Sequence, residues 1–150
     1  MIKRIILFVA LPLPIVIFLF LKFFGKNEFD VRVYWNEGVN VAGCKPQPAP
    51  YVLPDSALTA WGWTGAKATL IVLNENGIKD NLARVADLFE DGDYSTIKVS
   101  DVPNCLLLAG DSSQVVMIDD QKRIRGYYTP TSRKQTDRLA VELRILLKQY

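Results

Sequence analysis

The stretch Val115–Tyr128, VVMIDDQKRIRGYY, decides the fold of this chain of 150 residues. It predicts two short strands joined by a tight polar turn, because apolar runs flank turn-forming aspartates. The following segment, 132–149, predicts an amphipathic helix. Four leucines share one face of that helix: Leu139, Leu143, Leu146 and Leu147. The chain is therefore expected to end in a β-hairpin and a packed helix.

Two further strands and a helix precede the hairpin. The run 66–73, AKATLIVL, is almost continuously apolar and rich in β-branched residues, which predicts a strand buried on both faces. Apolar residues then recur at helical spacing from Ile78 to Phe89, and 94–99 alternates as a second strand. The order strand, helix, strand, irregular piece, strand, strand, helix predicts an α/β fold, a thioredoxin-like mixed sheet flanked by helices.

The apolar run Ile5–Phe24 predicts one transmembrane helix through the lipid bilayer, since it carries only the charge of Lys22 and has the required length. A cleaved signal peptide is the alternative, but the run exceeds the usual apolar region and no small-residue cleavage site follows. Lys3 and Arg4 precede the span and favour a cytoplasmic N-terminus. We expect a single-pass inner-membrane protein whose C-terminal domain is periplasmic or otherwise extracytoplasmic.

The sequence divides into three parts. Residues 1–26 are predicted to be the anchor, 27–54 an extended proline-rich tether, and 55–150 the folded domain. Four prolines between 45 and 54 favour extended chain and exclude a helix. Alternating apolar residues from Phe29 to Trp35 predict a short extended piece that adds to a sheet edge or to a partner.

Composition excludes several classes of function. From residue 25 onward, 15 basic residues (18 in all minus Lys3, Arg4 and Lys22) face 16 acidic ones, so we expect no nucleic-acid binding. The chain has no histidine, the commonest general base and metal ligand. The acidic cluster around 87–93 lacks the spacing of a calcium loop. We expect no enzyme activity, no cofactor, no bound metal and no small-molecule substrate.

The run from Met117 to the end, MIDDQKRIRGYYTPTSRKQTDRLAVELRILLKQY, resembles the C-terminal part of the SCO family of membrane-anchored, thioredoxin-fold proteins. The segment 50–58, PYVLPDSAL, resembles the entry into that fold, and the N-terminal anchor matches too. The resemblance covers about residues 50–150. It implies a thioredoxin-like domain held outside the cytoplasm by its anchor.

The resemblance does not carry over the family's chemistry. Members with copper function have two cysteines separated by three residues after the first core strand, and a histidine before the hairpin. Here the loop after Leu73 reads NENGIKDNLAR, and Asp111 stands near the position of the histidine. Lys122 also replaces a glycine that tolerates positive φ in the hairpin turn. The resemblance therefore implies a divergent member that lacks the copper ligands and the dithiol.

Cys44 and Cys105, 61 positions apart, are neither a redox pair nor a metal knuckle. In an oxidising compartment we predict a disulfide between tether and domain. The alternative is two unlinked thiols, with Cys105 buried as a small apolar residue.

Aromatic and basic residues supply the predicted partner contacts. Trp35, Trp61 and Trp63 are candidates because exposed tryptophans often anchor interfaces, although Trp61 and Trp63 could instead cap the core. The hairpin and last helix carry a basic bias that includes Arg123 and Arg125. An acidic partner or anionic lipid would match this bias, and the alternative is a solvated face with ordinary ion pairs.

Together these features predict a non-catalytic, membrane-anchored accessory or assembly subunit of an integral membrane protein complex, by resemblance a respiratory oxidase. Its degenerate SCO-like domain would serve protein interaction. The alternative is a copper chaperone or thiol–disulfide protein for cytochrome oxidase assembly. A membrane-surface scaffold in an unrelated system, such as secretion, is a third.

Overall fold

The computed structural model describes residues 12–24, 30–110 and 112–148. Four strands form one sheet in the order β2-β1-β3-β4. They are β1 (Ala68–Val72), β2 (Ser95–Lys98), β3 (Val115–Asp119) and β4 (Ile124–Tyr128). The helices are α1 (Pro12–Phe24), α2 (Asp55–Ala60), α3 (Lys79–Ala86), α4 (Asn104–Leu107) and α5 (Arg133–Leu147).

The sheet is mixed, as predicted. β1 pairs with β2 in parallel, whereas β3 runs antiparallel to both β1 and β4. All five residues of β1 and of β3 are buried, which explains their continuous apolar sequences. The order of strands and helices is confirmed, and the irregular piece before the hairpin contains the short helix α4.

One face of the sheet, which we call face one, packs against α3 and α5. Its core is a cluster of buried residues to which β1, β3, β4 and both helices contribute. Leu139 and Leu143 are fully buried and Leu147 is nearly so, which confirms the leucine face of the last helix. Ser132 caps α5, because its side chain accepts a hydrogen bond from the Gln135 amide. The apolar periodicity of α5 therefore places its leucines in the core of face one.

The opposite face, face two, is covered by short helices and irregular chain. Residues 30–54, which we call the strap, fold back onto this side of the domain, whereas the sequence predicted an extended tether between the anchor and the domain. Val39, Tyr51 and Leu53 of the strap are buried in the second apolar cluster, together with Leu58 of α2 and Leu107 of α4. The prolines exclude a helix here, as expected, but they do not keep the chain away from the core.

Backbone hydrogen bonds hold the strap along the outer side of β4. The Tyr34 amide donates to the Ile124 carbonyl over 2.8 Å, and the Leu53 amide donates to the Lys122 carbonyl over 3.0 Å. The predicted extended piece up to Trp35 thus reaches the sheet edge without forming a regular strand, although Phe29 lies outside the described residues.

The hairpin contains an irregularity that strand alternation did not predict. Met117 pairs with Gly126 and Ile118 pairs with Ile124, so Arg125 is the extra residue of a β-bulge. Ile124 consequently joins the face-two cluster, whereas Tyr128 joins the face-one cluster. Lys122 has a φ of 63° in the turn, the conformation in which a glycine was expected.

The predicted membrane segment is only partly described. Its residues 5–11 lie outside the described residues, and α1 comprises 13 residues. Among the residues described, no helix has both the length and the apolar character needed to cross a bilayer. The side chains from Leu13 to Phe20 that are described are exposed.

Candidate interaction surface

Cys44 and Cys105 form a disulfide that joins the strap to α4. The two sulfur atoms are 2.09 Å apart, and the Cα atoms are separated by 5.4 Å. Cys105 is exposed, unlike the buried thiol of the alternative interpretation. Since both cysteines are used in this link, neither sulfur is available as a free thiolate ligand in this state.

Trp35 is a half-buried anchor of the strap. Its Nε1 donates to the Tyr127 hydroxyl over 2.8 Å, and that hydroxyl donates to the Leu107 carbonyl over 2.8 Å. The Tyr51 hydroxyl likewise donates to the Leu106 carbonyl over 2.7 Å. Burial raises the pKa of Tyr127 to about 12. A hydrogen-bonded aromatic network therefore connects the strap, β4 and α4.

Trp61 and Trp63 both pack against the apolar cluster of face two and remain half-buried. Gly62 between them has a φ of 74°, so the segment is a turn. The Trp63 Nε1 donates to the Thr69 hydroxyl over 3.1 Å. This packing agrees with the core-capping alternative, while the partly exposed rings leave partner contact as a prediction.

Arg125 lies inside the fold, which corrects its assignment as a surface contact. Its side chain is 3% exposed and that of Asp119 is 2% exposed, with Nη1 and Oδ2 separated by 3.2 Å. Nη2 donates to the Asp30 carboxylate and to the Val31 carbonyl. Arg125 therefore clamps the beginning of the strap to β4, since the bulge turns its side chain inward.

The basic residues of the hairpin are neutralised by acidic neighbours. Arg123 contacts Asp119 over 2.8 Å, and Asp119 also accepts hydrogen bonds from the backbone amides of Gln121 and Arg123. Lys122 pairs with Asp55 of α2. The cations of the hairpin turn are therefore held in ion pairs and do not form a free basic surface. This agrees with the alternative interpretation, a face with ordinary ion pairs.

The helix α5 differs from the hairpin, because much of its charge remains unpaired. Arg133 lies 3.9 Å from Asp137 and Arg138 lies 2.7 Å from Glu142. Within the part of the chain that the structure describes, three other cations near this helix have no acidic partner. They are Lys134, Arg144 and Lys148.

Two arginines lie over tyrosine rings beside β4. Arg32 is 5.3 Å from the centroid of Tyr34, and Arg138 is 5.5 Å from that of Tyr128. The Tyr128 hydroxyl donates to the Glu142 carboxylate, and burial is the main cause of a raised pKa for this phenol. The α5 helix is therefore linked through Tyr128 to the strand that carries the strap.

The loop after β1, which contains no cysteine, forms a closed polar turn. The Asn74 side chain accepts from the Asn76 amide over 2.9 Å, and the Gln114 side chain donates to the Asn76 carbonyl over 2.9 Å. Asp111, assigned to the position of the histidine, lies outside the described residues. No cluster of three or more metal-ligating side chains occurs in 12–24, 30–110 or 112–148.

The central role of Asp119 and Asp30 was missed by sequence reasoning, which interpreted Asp119 as a turn residue. The sequence offered one signal, an arginine in an otherwise apolar strand, because a buried cation requires an acidic partner.

Comparison with protein-family models, curated proteins and solved structures found no match to this chain.

Proposed function

We propose that this chain is a non-catalytic, membrane-anchored accessory or assembly subunit of a larger membrane protein complex. Its thioredoxin-like domain would serve as an interaction module outside the cytoplasm. A respiratory oxidase is the complex that the SCO-like sequence pattern favours.

The topology of the sheet supports the thioredoxin-like part of this proposal. A parallel β1–β2 pair is followed by an antiparallel hairpin, in the order β2-β1-β3-β4. The helices α3 and α5 contribute to the apolar cluster of one face, whereas α4 contributes to the opposite cluster. This is the layer arrangement expected from the strand and helix order of the sequence.

The loop after β1 is the observation that supports a non-catalytic role. Its residues Asn74 and Asn76 make turn hydrogen bonds, and no thiol is present where a copper ligand or redox dithiol would be needed. The two cysteines are instead joined to each other between the strap and α4. A fold that is retained without soft ligands at that loop favours binding of a protein over copper transfer.

The apolar surface of α1 supports the anchor. Its large apolar side chains between Leu13 and Phe20 are 46–66% exposed, a level at which a helix with almost no polar residue requires lipid or protein around it. Together with the apolar residues that precede Pro12 in the sequence, α1 supplies the length of a bilayer span.

The proposal is tested by extracting the full chain from its native membrane in a mild detergent and measuring its size and composition. We expect a particle much larger than a monomer, with the same membrane subunits at fixed ratio in repeated preparations. Trp61→Ala should weaken that association, whereas Leu88→Ala, an exposed apolar control just after α3, should not.

Two outcomes would contradict the proposal. A strictly monomeric chain that copurifies with no other protein would contradict the proposed role in protein interaction. Stoichiometric copper binding by the purified chain, lost in Cys44→Ser or Cys105→Ser, would favour the copper chaperone instead.

A further inference from the structure

We propose that the outer face of α5 lies on anionic lipid headgroups of the bilayer that holds the anchor. This inference rests on the proposed membrane anchor and adds a lipid-binding surface to it. The outer face consists of the exposed residues Arg133, Lys134, Asp137, Arg138, Val141, Arg144 and Lys148.

The chain length between α1 and the domain keeps one side of the domain near the membrane. Five residues separate Phe24, the end of α1, from Asp30, so six Cα steps span at most about 20 Å. A domain of this size is about 30 Å across. The side that carries Asp30 must therefore face the bilayer.

The Arg125 clamp determines which side this is. Arg125 binds the Asp30 carboxylate and the Val31 carbonyl, and the Tyr34 amide is bonded to the Ile124 carbonyl. The chain consequently leaves the domain along the outer edge of β4, and this edge is held close to the headgroups.

The α5 helix packs against α3 and β1 and reaches that edge through its side chains. The Tyr128 hydroxyl at the end of β4 donates to Glu142, and Arg138 covers the Tyr128 ring. Val31 belongs to the same apolar cluster as Leu139. Lys134 is one turn before Arg138 on the same side of the helix and belongs to the same outer face.

The charge of this face matches an anionic surface. From 133 to 148, five basic residues face two acidic ones, a net charge of three positive units. Lys and Arg side chains are attracted to an anionic leaflet, and the attraction acts within about 10 Å. Val141, 52% exposed between these charges, can enter the headgroup boundary.

An acidic protein is the other conceivable occupant of this face. Lipid is favoured because the short connection from α1 brings the face to the bilayer without a further component. The ion pairs of the hairpin, Lys122–Asp55 and Arg123–Asp119, make the turn a weaker candidate for the same role.

Lysine labelling of the full chain in lipid nanodiscs tests the proposal. The discs contain phosphatidylcholine alone or a three-to-one mixture with phosphatidylglycerol, and an amine-reactive acetylating reagent is followed by mass spectrometry. We expect the anionic discs to slow acetylation of Lys134 by about threefold or more, and high salt to abolish the difference.

The chain supplies matched controls for this experiment. Lys79 on α3 and Lys98 on the far edge strand β2 are exposed and should react equally in both discs. Arg144→Glu should reduce the protection of Lys134, whereas Arg84→Glu, an exposed arginine of α3, should leave it unchanged.

Three results would overturn the inference. Equal labelling of Lys134 in both discs, with the chain inserted, contradicts lipid contact while leaving the anchor intact. Protection in native membranes but not in anionic discs assigns the face to a protein partner. A chain that fails to enter the discs contradicts the anchor itself, and this inference with it.

Discussion

The two faces of the sheet are built in different ways. Face one is closed by α3 and α5, whose backbones satisfy their own hydrogen bonds, so apolar packing is enough to hold them. Face two is closed by the strap, whose irregular backbone has no such ladder. It is held by a disulfide and by individual bonds from Trp35, Tyr51 and Leu53. An irregular segment can thus cover an apolar core when a disulfide and individual hydrogen bonds hold it in place of a regular backbone hydrogen-bond pattern.

The largest loss of stability is expected from the core of face one. Leu143→Ala removes a fully buried side chain of α5 and should lower the free energy of unfolding by about 3 kcal/mol, through lost burial and an added cavity. Urea unfolding measures the change. Val141→Ala, at an exposed position of the same helix, is the control and should change it by less than about 0.5 kcal/mol. Similar losses for both variants would contradict the packing described for α5.

The covalent link of face two should contribute a comparable amount. Replacing both Cys44 and Cys105 by serine is expected to cost about 2–4 kcal/mol, because the unfolded chain is no longer constrained by a loop of this length. Thermal unfolding with and without reductant provides the measurement. The wild-type chain in reductant should behave like the double variant, and an unchanged melting temperature in both would show that face two does not depend on the link.

Alkaline pH should weaken face two through Tyr127. Its pKa is raised from 10 to about 12, so its contribution is fully present below pH 10 and disappears between pH 10 and 12. We expect a loss of about 1–2 kcal/mol, less than a two-unit shift implies, because the ring is only half-buried and partly screened. Tyr127→Phe should reduce, without abolishing, the fall of the unfolding free energy with pH in this window, because burial also raises the pKa of Tyr128. An identical profile for the variant would exclude Tyr127 as the source.

A single hydrogen bond of the strap should have a smaller effect. Tyr51→Phe leaves the ring in place but removes the donor to the Leu106 carbonyl, which should lower the free energy of unfolding by about 1 kcal/mol. Tyr94→Phe is the matched control, since Tyr94 packs edge-on against Phe89 on face one. If chemical unfolding gives the two variants equal stability, the polar contacts of the strap do not have the role assigned to them.

The smallest change in the free energy of unfolding is expected from a substitution in the hairpin turn between β3 and β4. Lys122→Gly relieves a positive φ but adds freedom to the unfolded chain and removes the exposed pair with Asp55, so the net change should stay within about 1 kcal/mol. Lys122→Ala loses the pair and keeps the strained φ, and it should be less stable than the glycine variant. The opposite order in urea unfolding would contradict the turn geometry.

Face one could be predicted from the sequence because its signals are local. The spacing of Leu139, Leu143 and Leu147, and the apolar runs of β1 and β3, identify buried positions without knowledge of any distant residue. The predicted helix from 78 to 89 was longer than α3, Lys79–Ala86, since helix ends are weakly specified.

Face two could not be predicted because its contacts join residues far apart in the sequence. The prolines near Tyr51 and Leu53 indicate extended chain correctly, but no periodicity shows that those two side chains are buried. The bond from Trp35 to Tyr127 spans 92 positions. The inward position of Arg125 depends on a bulge, which leaves no simple trace in the alternation of the strand.

That bulge has a consequence for comparing this chain with others. In a regular strand, Ile124, Gly126 and Tyr128 would point to one side, but the extra residue Arg125 assigns Ile124 to one cluster and Tyr128 to the other. A related hairpin that is one residue shorter should therefore be aligned with its gap at Arg125. A gap placed in the turn would exchange inward and outward positions and make equivalent core residues appear unrelated.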